Sequence, residues 1–138
     1  MATLLFECFV AMIPKGKGRH RTMKGGRTYP DPATVKAEQL IQMVVGAAWR
    51  KAPLDEPLAL RVVAYFERPK SKPKKVLYPT GKPDHDNLDK TVGDSLNGIL
   101  WRDDSVIVDG GCKKRYCSPD HPQPGLAIRV YALTEEDL

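Results

Sequence analysis

Asp84, Asp86 and Asp89 fall within six residues, immediately after Lys82-Pro83 and just before Lys90. Like charges packed this closely need a reason. Asp86 and Asp89 have a structural one, since acidic side chains at the start of a helix favour the positive end of its dipole and can satisfy free N–H groups. Asp84 is left over. Asp84 and Asp86 are i and i+2 behind Pro83, and in an extended segment such residues project the same way. Two carboxylates that close raise each other's pKa unless a cation lies between them. An all-oxygen ligand set with no paired His or Cys selects a hard cation, Mg²⁺ or alternatively Mn²⁺. Lys90 lies one helical turn beyond Asp86 on the same face and places a fixed positive charge there. A second acidic pair, Asp103 and Asp104, follows the same helix and returns to the site if the next strand lies beside the Pro83 segment.

The elements that must carry these groups are readable from periodicity. Residues 4–11 and 58–66 have the apolar and aromatic density of strands. Residues 14–26 hold four glycines and six basic residues and read as a mobile cationic loop. Asp31 and Pro32 open a helix as N-cap and first helical residue, and Ala37, Ile41, Val44, Val45 and Ala48 give it one apolar stripe that should end near Lys51. The prolines at 69, 73 and 79 exclude a helix interior. A second helix is expected over 87–100, with Leu88, Val92, Leu96 and Ile99 inward and Asp86, Lys90, Asp94 and Asn97 outward. A strand over 105–108, continued over 113–117, is broken at Gly110 and Gly111, and 126–133 closes the chain. The order β, α, β, α, β, β is that of a single small α/β domain spanning residues 1–138, with two main helices on a mixed four-stranded sheet.

Of the 138 residues, 41% are hydrophobic and 28% charged, an ordinary globular balance. No apolar run approaches the roughly 20 residues that cross a bilayer. The N-terminal charges follow the apolar run, the reverse of a secretory signal, and three cysteines make a disulfide framework a poor reading. A cytoplasmic protein with no membrane contact is expected. Cys112, Cys117 and His121 match no common zinc spacing. The formal charge of +5 favours a polyanionic partner. A carboxylate cluster between basic segments is what hydrolysis of a nucleic-acid phosphodiester needs, because the backbone must be attracted while a metal stabilises the anionic transition state.

The stretch from Lys82 to Arg115, with Asp84-His85-Asp86-Asn87-Leu88-Asp89-Lys90 followed by Asp103-Asp104 before a strand, resembles the core signature of the RusA family of Holliday junction resolvases. The segments "IPKGKGRHR" and "GRTYPDP" sit where that family has its basic loop and first helix, so the resemblance runs over residues 6–131. It implies a homodimeric, Mg²⁺-dependent endonuclease that cuts branched DNA, the four-way junction, symmetrically. On matching positions it implies Asp84, Asp86 and Asp104 as metal-binding and catalytic carboxylates and Lys90 as the catalytic lysine, with Asn87 bonding a carboxylate behind them. Asp94, Asp103, Lys113 and Lys114 match positions that the family keeps polar or charged. The basic insertion over 68–82 is longer than in the shortest members. Lys15, Lys17, Arg19, Arg21 and Arg27, Lys72, Lys74 and Lys75, and Lys113 and Lys114 are the candidate DNA contacts. Leu40, Met43 and Trp49 are offered for the subunit contact, with core packing as the stronger assignment, and Trp101 and Tyr116 are assigned to the core or sheet.

The competing readings are a non-catalytic basic nucleic-acid-binding module, in which the aspartates only cap a helix, and a D-x-D nucleotide transferase. The latter needs a glycine-rich strand-to-helix turn that this sequence lacks.

Overall fold

Strand β1 (Thr3–Ala11) turns Phe6, Cys8 and Val10 to the core and Glu7 and Phe9 to the other side, the period of two expected of a sheet covered on one face. In the computed structural model, which describes residues 2–138, β1 pairs antiparallel with β7 (Gly125–Ala132), and β7 pairs antiparallel with β4 (Leu58–Phe66). The beginning of β4 has β5 (Ile107–Asp109) as a parallel partner, and its second half has β6 (Cys112–Tyr116). By hydrogen bonding there are five strands. β5 and β6 are nevertheless two halves of one edge, parted at Gly110 and Gly111, so the mixed sheet occupies four positions as expected. At Gly125 the two antiparallel strands approach so closely that a Cβ would lie 2.3 Å from the Val10 carbonyl oxygen, which only glycine avoids.

Helix α1 (Pro32–Ala48) begins as its sequence dictates: the Asp31 carboxylate accepts from the Thr34 N–H at 3.2 Å. Ala37, Ile41 and Val45 are buried against the sheet. The helix stops three residues short of Lys51, where Trp49 turns to pack edge-on against Phe6, 5.8 Å between ring centres. Leu40 and Trp49 pack on the core, and Met43 is exposed.

Helix α2 (His85–Ser95) starts two residues before and ends five residues before the periodicity of 87–100 suggests. Leu88, Val92, Leu96 and Leu100 are all fully buried. The chain leaves the helix after Ser95, however, and reverses through Gly98, whose φ of 78° is left-handed and suits glycine. Apolar spacing continues past the point where helical geometry stops, because Leu96 and Leu100 fill the same core from a turn. The segment 14–26, expected as a mobile loop, contains half of a small hairpin of β2 (Arg21–Thr22) and β3 (Thr28–Tyr29), which turns through Gly25 and Gly26, both at positive φ. No helix among the described residues is long and apolar enough to cross a membrane.

Candidate active site

The N-cap of α2 falls on Asp84, whose carbonyl accepts from the Leu88 N–H at 3.1 Å. The helix begins at His85, so the extended segment that sequence placed behind Pro83 ends at Asp84 and Asp86 belongs to the first helical turn. Asp84 keeps extended backbone while Asp86 is helical, and Asp84 is not among the residues that line the cavity Asp86 opens into. The Asp84 carboxylate instead meets the Lys82 ammonium at 2.9 Å, which holds its carboxyl below the usual range. Asp86 opens into a cavity of about 350 Å³, which is also lined by Asp89, Lys90 and Gly93 of the same helix. These four are i, i+3, i+4 and i+7, one stripe. Leu60, Ile107, Val108 and Gly110 complete the wall together with Asp104.

Asp104 reaches this stripe because the chain doubles back. Trp101 is fully buried, and its indole N–H donates to the Gly93 carbonyl at 3.0 Å and to Asn97 Oδ1 at 3.2 Å, tying the turn to α2. Leu54 braces it from outside through backbone hydrogen bonds to Leu100 and Arg102, both 2.8 Å. The acidic pair then divides. Asp103 accepts from the Ser105 N–H at 3.1 Å and caps the 3-10 turn Asp104–Val106, whereas Asp104 faces the cavity.

Asp89 belongs to the site, although helix-dipole reasoning accounts for it without one. Its Oδ1 is buried and has no hydrogen-bond partner. Gly110 makes room for the other oxygen: a Cβ there would sit 3.0 Å from Oδ2. Burial pushes the Asp89 carboxyl up, and a backbone hydrogen bond from Gly111 opposes this. A carboxylate kept half out of water with one oxygen unsatisfied costs stability, which is what a functional group in a cleft looks like. The signal was present in its i+3 spacing from Asp86.

Asn87 meets a carboxylate only through its backbone N–H, which donates to Asp86 Oδ1 at 3.0 Å. Its side chain clamps the backbone of Lys17, accepting from the N–H at 3.1 Å and donating to the carbonyl at 3.2 Å. Gly16 lies so close that a Cβ would be 2.6 Å from Asn87 Nδ2. Two cations expected on phosphate are ion-paired within the chain, Lys17 with Asp94 at 2.8 Å and Arg21 with Asp31 at 2.8 Å. Lys15, Arg19, Arg27, Lys74 and Lys75 are exposed. Lys82, which sequence reasoning passed over, joins two cationic concavities, one of about 350 Å³ with Lys15 and Lys17 and one of about 220 Å³ with Lys72 and Lys114. Alternation along β6 puts Lys113 on the sheet face opposite Lys114. His121 stacks on Tyr65 with ring centres 4.6 Å apart. Among the described residues, no three His, Cys, Asp or Glu side chains converge closely enough to make a preassembled metal site.

Over 140 aligned positions the chain is 33% identical to the uncharacterized protein YqaN of Bacillus subtilis (strain 168), covering 94% of this chain and 97% of that protein. Residues 11–131 match the family of endodeoxyribonuclease RusA, a span that takes in β4, both helices and every cavity-lining residue. This chain therefore belongs to the RusA family of endodeoxyribonucleases.

Proposed function

We infer that the protein resolves four-way DNA junctions by paired, metal-dependent phosphodiester hydrolysis, working as a homodimer. The observation that carries this reading is the shared cavity: Asp86, Asp89 and Lys90 from α2 and Asp104 from the reversed segment open into one space, on a chain that also carries two cationic concavities sharing Lys82.

The donor set fits Mg²⁺ or Mn²⁺. Magnesium keeps several waters and takes one or two carboxylates plus substrate phosphate, so a closed cage of three side chains is not required, and Asp89 Oδ1 is a buried oxygen without a hydrogen-bond partner. Asp86 and Asp104 would hold the ion, with Asp84 joining once released from Lys82, because exposed ion pairs hold weakly. When bound, the ion supplies charge stabilisation at phosphorus and acidifies water. The residues do the rest. Lys90 neutralises a non-bridging phosphate oxygen as charge develops. Asp89, fixed against Gly110 and Gly111, keeps the α2 stripe and the β5 edge in one arrangement around the substrate. Lys15, Lys72, Lys82 and Lys114 draw the DNA backbone across the cavity, with Arg19, Arg27, Lys74 and Lys75 adding phosphate contacts further out. Hydrolysis places water oxygen on phosphorus and returns a proton to the departing 3′ oxygen, leaving a 5′ phosphate. A four-way junction offers two equivalent strands, which a twofold dimer matches.

The test is a labelled four-way junction incubated with Mg²⁺ or with chelator. Cleavage should require metal and vanish in Asp86→Asn and Asp104→Asn while junction binding persists. Cleavage that is indifferent to chelator and to both substitutions would overturn this reading, and its complete absence from the unaltered protein would leave the non-catalytic binding module.

A further inference from the structure

Between Glu67 and Asp84 the chain carries Arg68, Lys70, Lys72, Lys74, Lys75 and Lys82 and no acidic residue. This cationic loop nevertheless presents Leu77 at 65% exposure and Tyr78 at 55%. Large apolar side chains left in water gain nothing within the fold, and adjacent ones mark a contact surface.

The loop is held in place. Lys72 N–H donates to the Pro69 carbonyl and Val76 N–H to the Pro73 carbonyl, both at 3.0 Å, making two consecutive turns. The Arg68 guanidinium donates to the carbonyls of Pro73 and Val76 and lies 4.5 Å over the Tyr116 ring. Arg115 lies 5.2 Å over the Tyr78 ring, and the Lys114 ammonium donates to the Gly81 carbonyl. Tyr116, Arg115 and Lys114 all belong to β6, which continues the edge whose β5 half lines the acidic cavity. Gly110 at the cavity and Arg115 at the loop are five residues apart along this edge, at most about 17 Å. A DNA arm rising 3.4 Å per base pair covers that span in about five pairs.

We propose that Leu77 and Tyr78 form a wedge that enters the open branch point of a junction and contacts unstacked bases, while Lys72, Lys74 and Lys75 hold the flanking phosphates. The proposal rests on the reading of the chain as a junction nuclease and names a source of its preference for branched over linear DNA. In a continuous duplex, an apolar wedge must first break base stacking. At a branch point stacking is already interrupted, so the same side chains bind with less opposing cost. A preformed loop stiffened by three prolines loses little freedom on insertion. Charge selects the occupant: a second copy of this tip would bring six cations against six, whereas a polyanion with apolar base faces satisfies both chemistries at once.

The experiment uses a four-way junction carrying 2-aminopurine at the branch point, with chelator present so that no strand is cut. Binding of the unaltered protein should raise the fluorescence. Leu77→Ala/Tyr78→Ala should abolish that rise at saturating protein and weaken junction binding about tenfold, with duplex binding changed by less than about twofold. Tyr78→Phe keeps the ring and should keep the rise. Because both side chains are exposed, an unchanged melting temperature checks that the double variant is folded. A rise that survives the double substitution, an equal loss on duplex and junction, or no rise with the unaltered protein bound would each overturn the wedge. So would a changed solution mass in the double variant, which would assign the pair to a subunit contact. A gel in Mg²⁺ reads cleavage separately. Cutting without a fluorescence rise sinks the wedge and spares the nuclease, and a rise without cutting does the reverse.

Discussion

Removing the charge of Asp89 should stabilise the protein while weakening its response to Mg²⁺. Asp89→Asn keeps the shape of the side chain and an oxygen for the Gly111 hydrogen bond, but takes away an anion whose Oδ1 is buried without a partner. A buried group without its partner costs about 1–3 kcal/mol, more when it is charged. The amide NH₂ that takes the place of Oδ1 stays unpaired, so only the charge part is relieved, about 1 kcal/mol after allowance for partial burial and solvent screening. In a domain of this size that is a rise in melting temperature of about 3–5 °C. The sign of the pH dependence follows from the direction of the shift. The folded-state pKa of Asp89 lies above its unfolded value, so the penalty is absent at a pH below the unfolded value of about 3.9 and complete above the folded one. The advantage of the variant should therefore be full at neutral pH and fade as pH falls through the folded-state pKa. Melting curves by circular dichroism at pH 7 and at pH 3.5, with chelator, measure both. Repeating them in Mg²⁺ should stabilise the unaltered chain more than the variant, since an ion that binds only the folded state adds stability in proportion to its affinity. A variant that melts below the unaltered protein at pH 7 without metal refutes the idea that the Asp89 charge is held at a cost to the fold.

Three further substitutions test how the site is positioned. Gly110→Ala puts a methyl group 3.0 Å from Asp89 Oδ2 and should cost about 1–3 kcal/mol in urea denaturation, with junction cleavage falling further than the stability loss accounts for. Asn87→Ala removes both hydrogen bonds to the Lys17 backbone, a loss of about 1–2 kcal/mol that hydrogen exchange should localise to residues 14–18. Trp101→Ala empties the fully buried position that ties Asp104 to α2 and should cost about 3–5 kcal/mol, read as a lowered urea midpoint by circular dichroism.

Much of this fold is local and was legible. The Asp31 cap with Pro32, the strand Leu58–Phe66, the break at Gly110 and Gly111, and the buried stripe through Leu88, Val92 and Leu96 all follow from the chemistry of neighbouring residues. The i+4 step from Asp86 to Lys90 placed both on one cavity wall for the same reason. The end of α2 was misread because apolar period alone cannot distinguish a continuing helix from a turn that fills the same core, and the hairpin from Arg21 to Tyr29 was hidden behind glycines that serve tight turns as readily as loose ones.

What the tertiary structure decided was which charges meet. Asn87 closes on Lys17 across 70 residues and Lys17 pairs with Asp94 across 77, so a side chain that sequence assigned to the carboxylates holds a loop, and a cation assigned to DNA is paired internally. The start of α2 at His85 turns Asp84 toward Lys82, and the buried Trp101 brings Asp104 onto the stripe of Asp86 and Asp89. Sequence by itself determined the supply of anions and cations and the elements that bear them, because propensity and periodicity act over a few bonds. Their pairing was decided only in the folded chain, because electrostatic and hydrogen-bond energies depend on distances of a few ångströms that packing of remote segments sets.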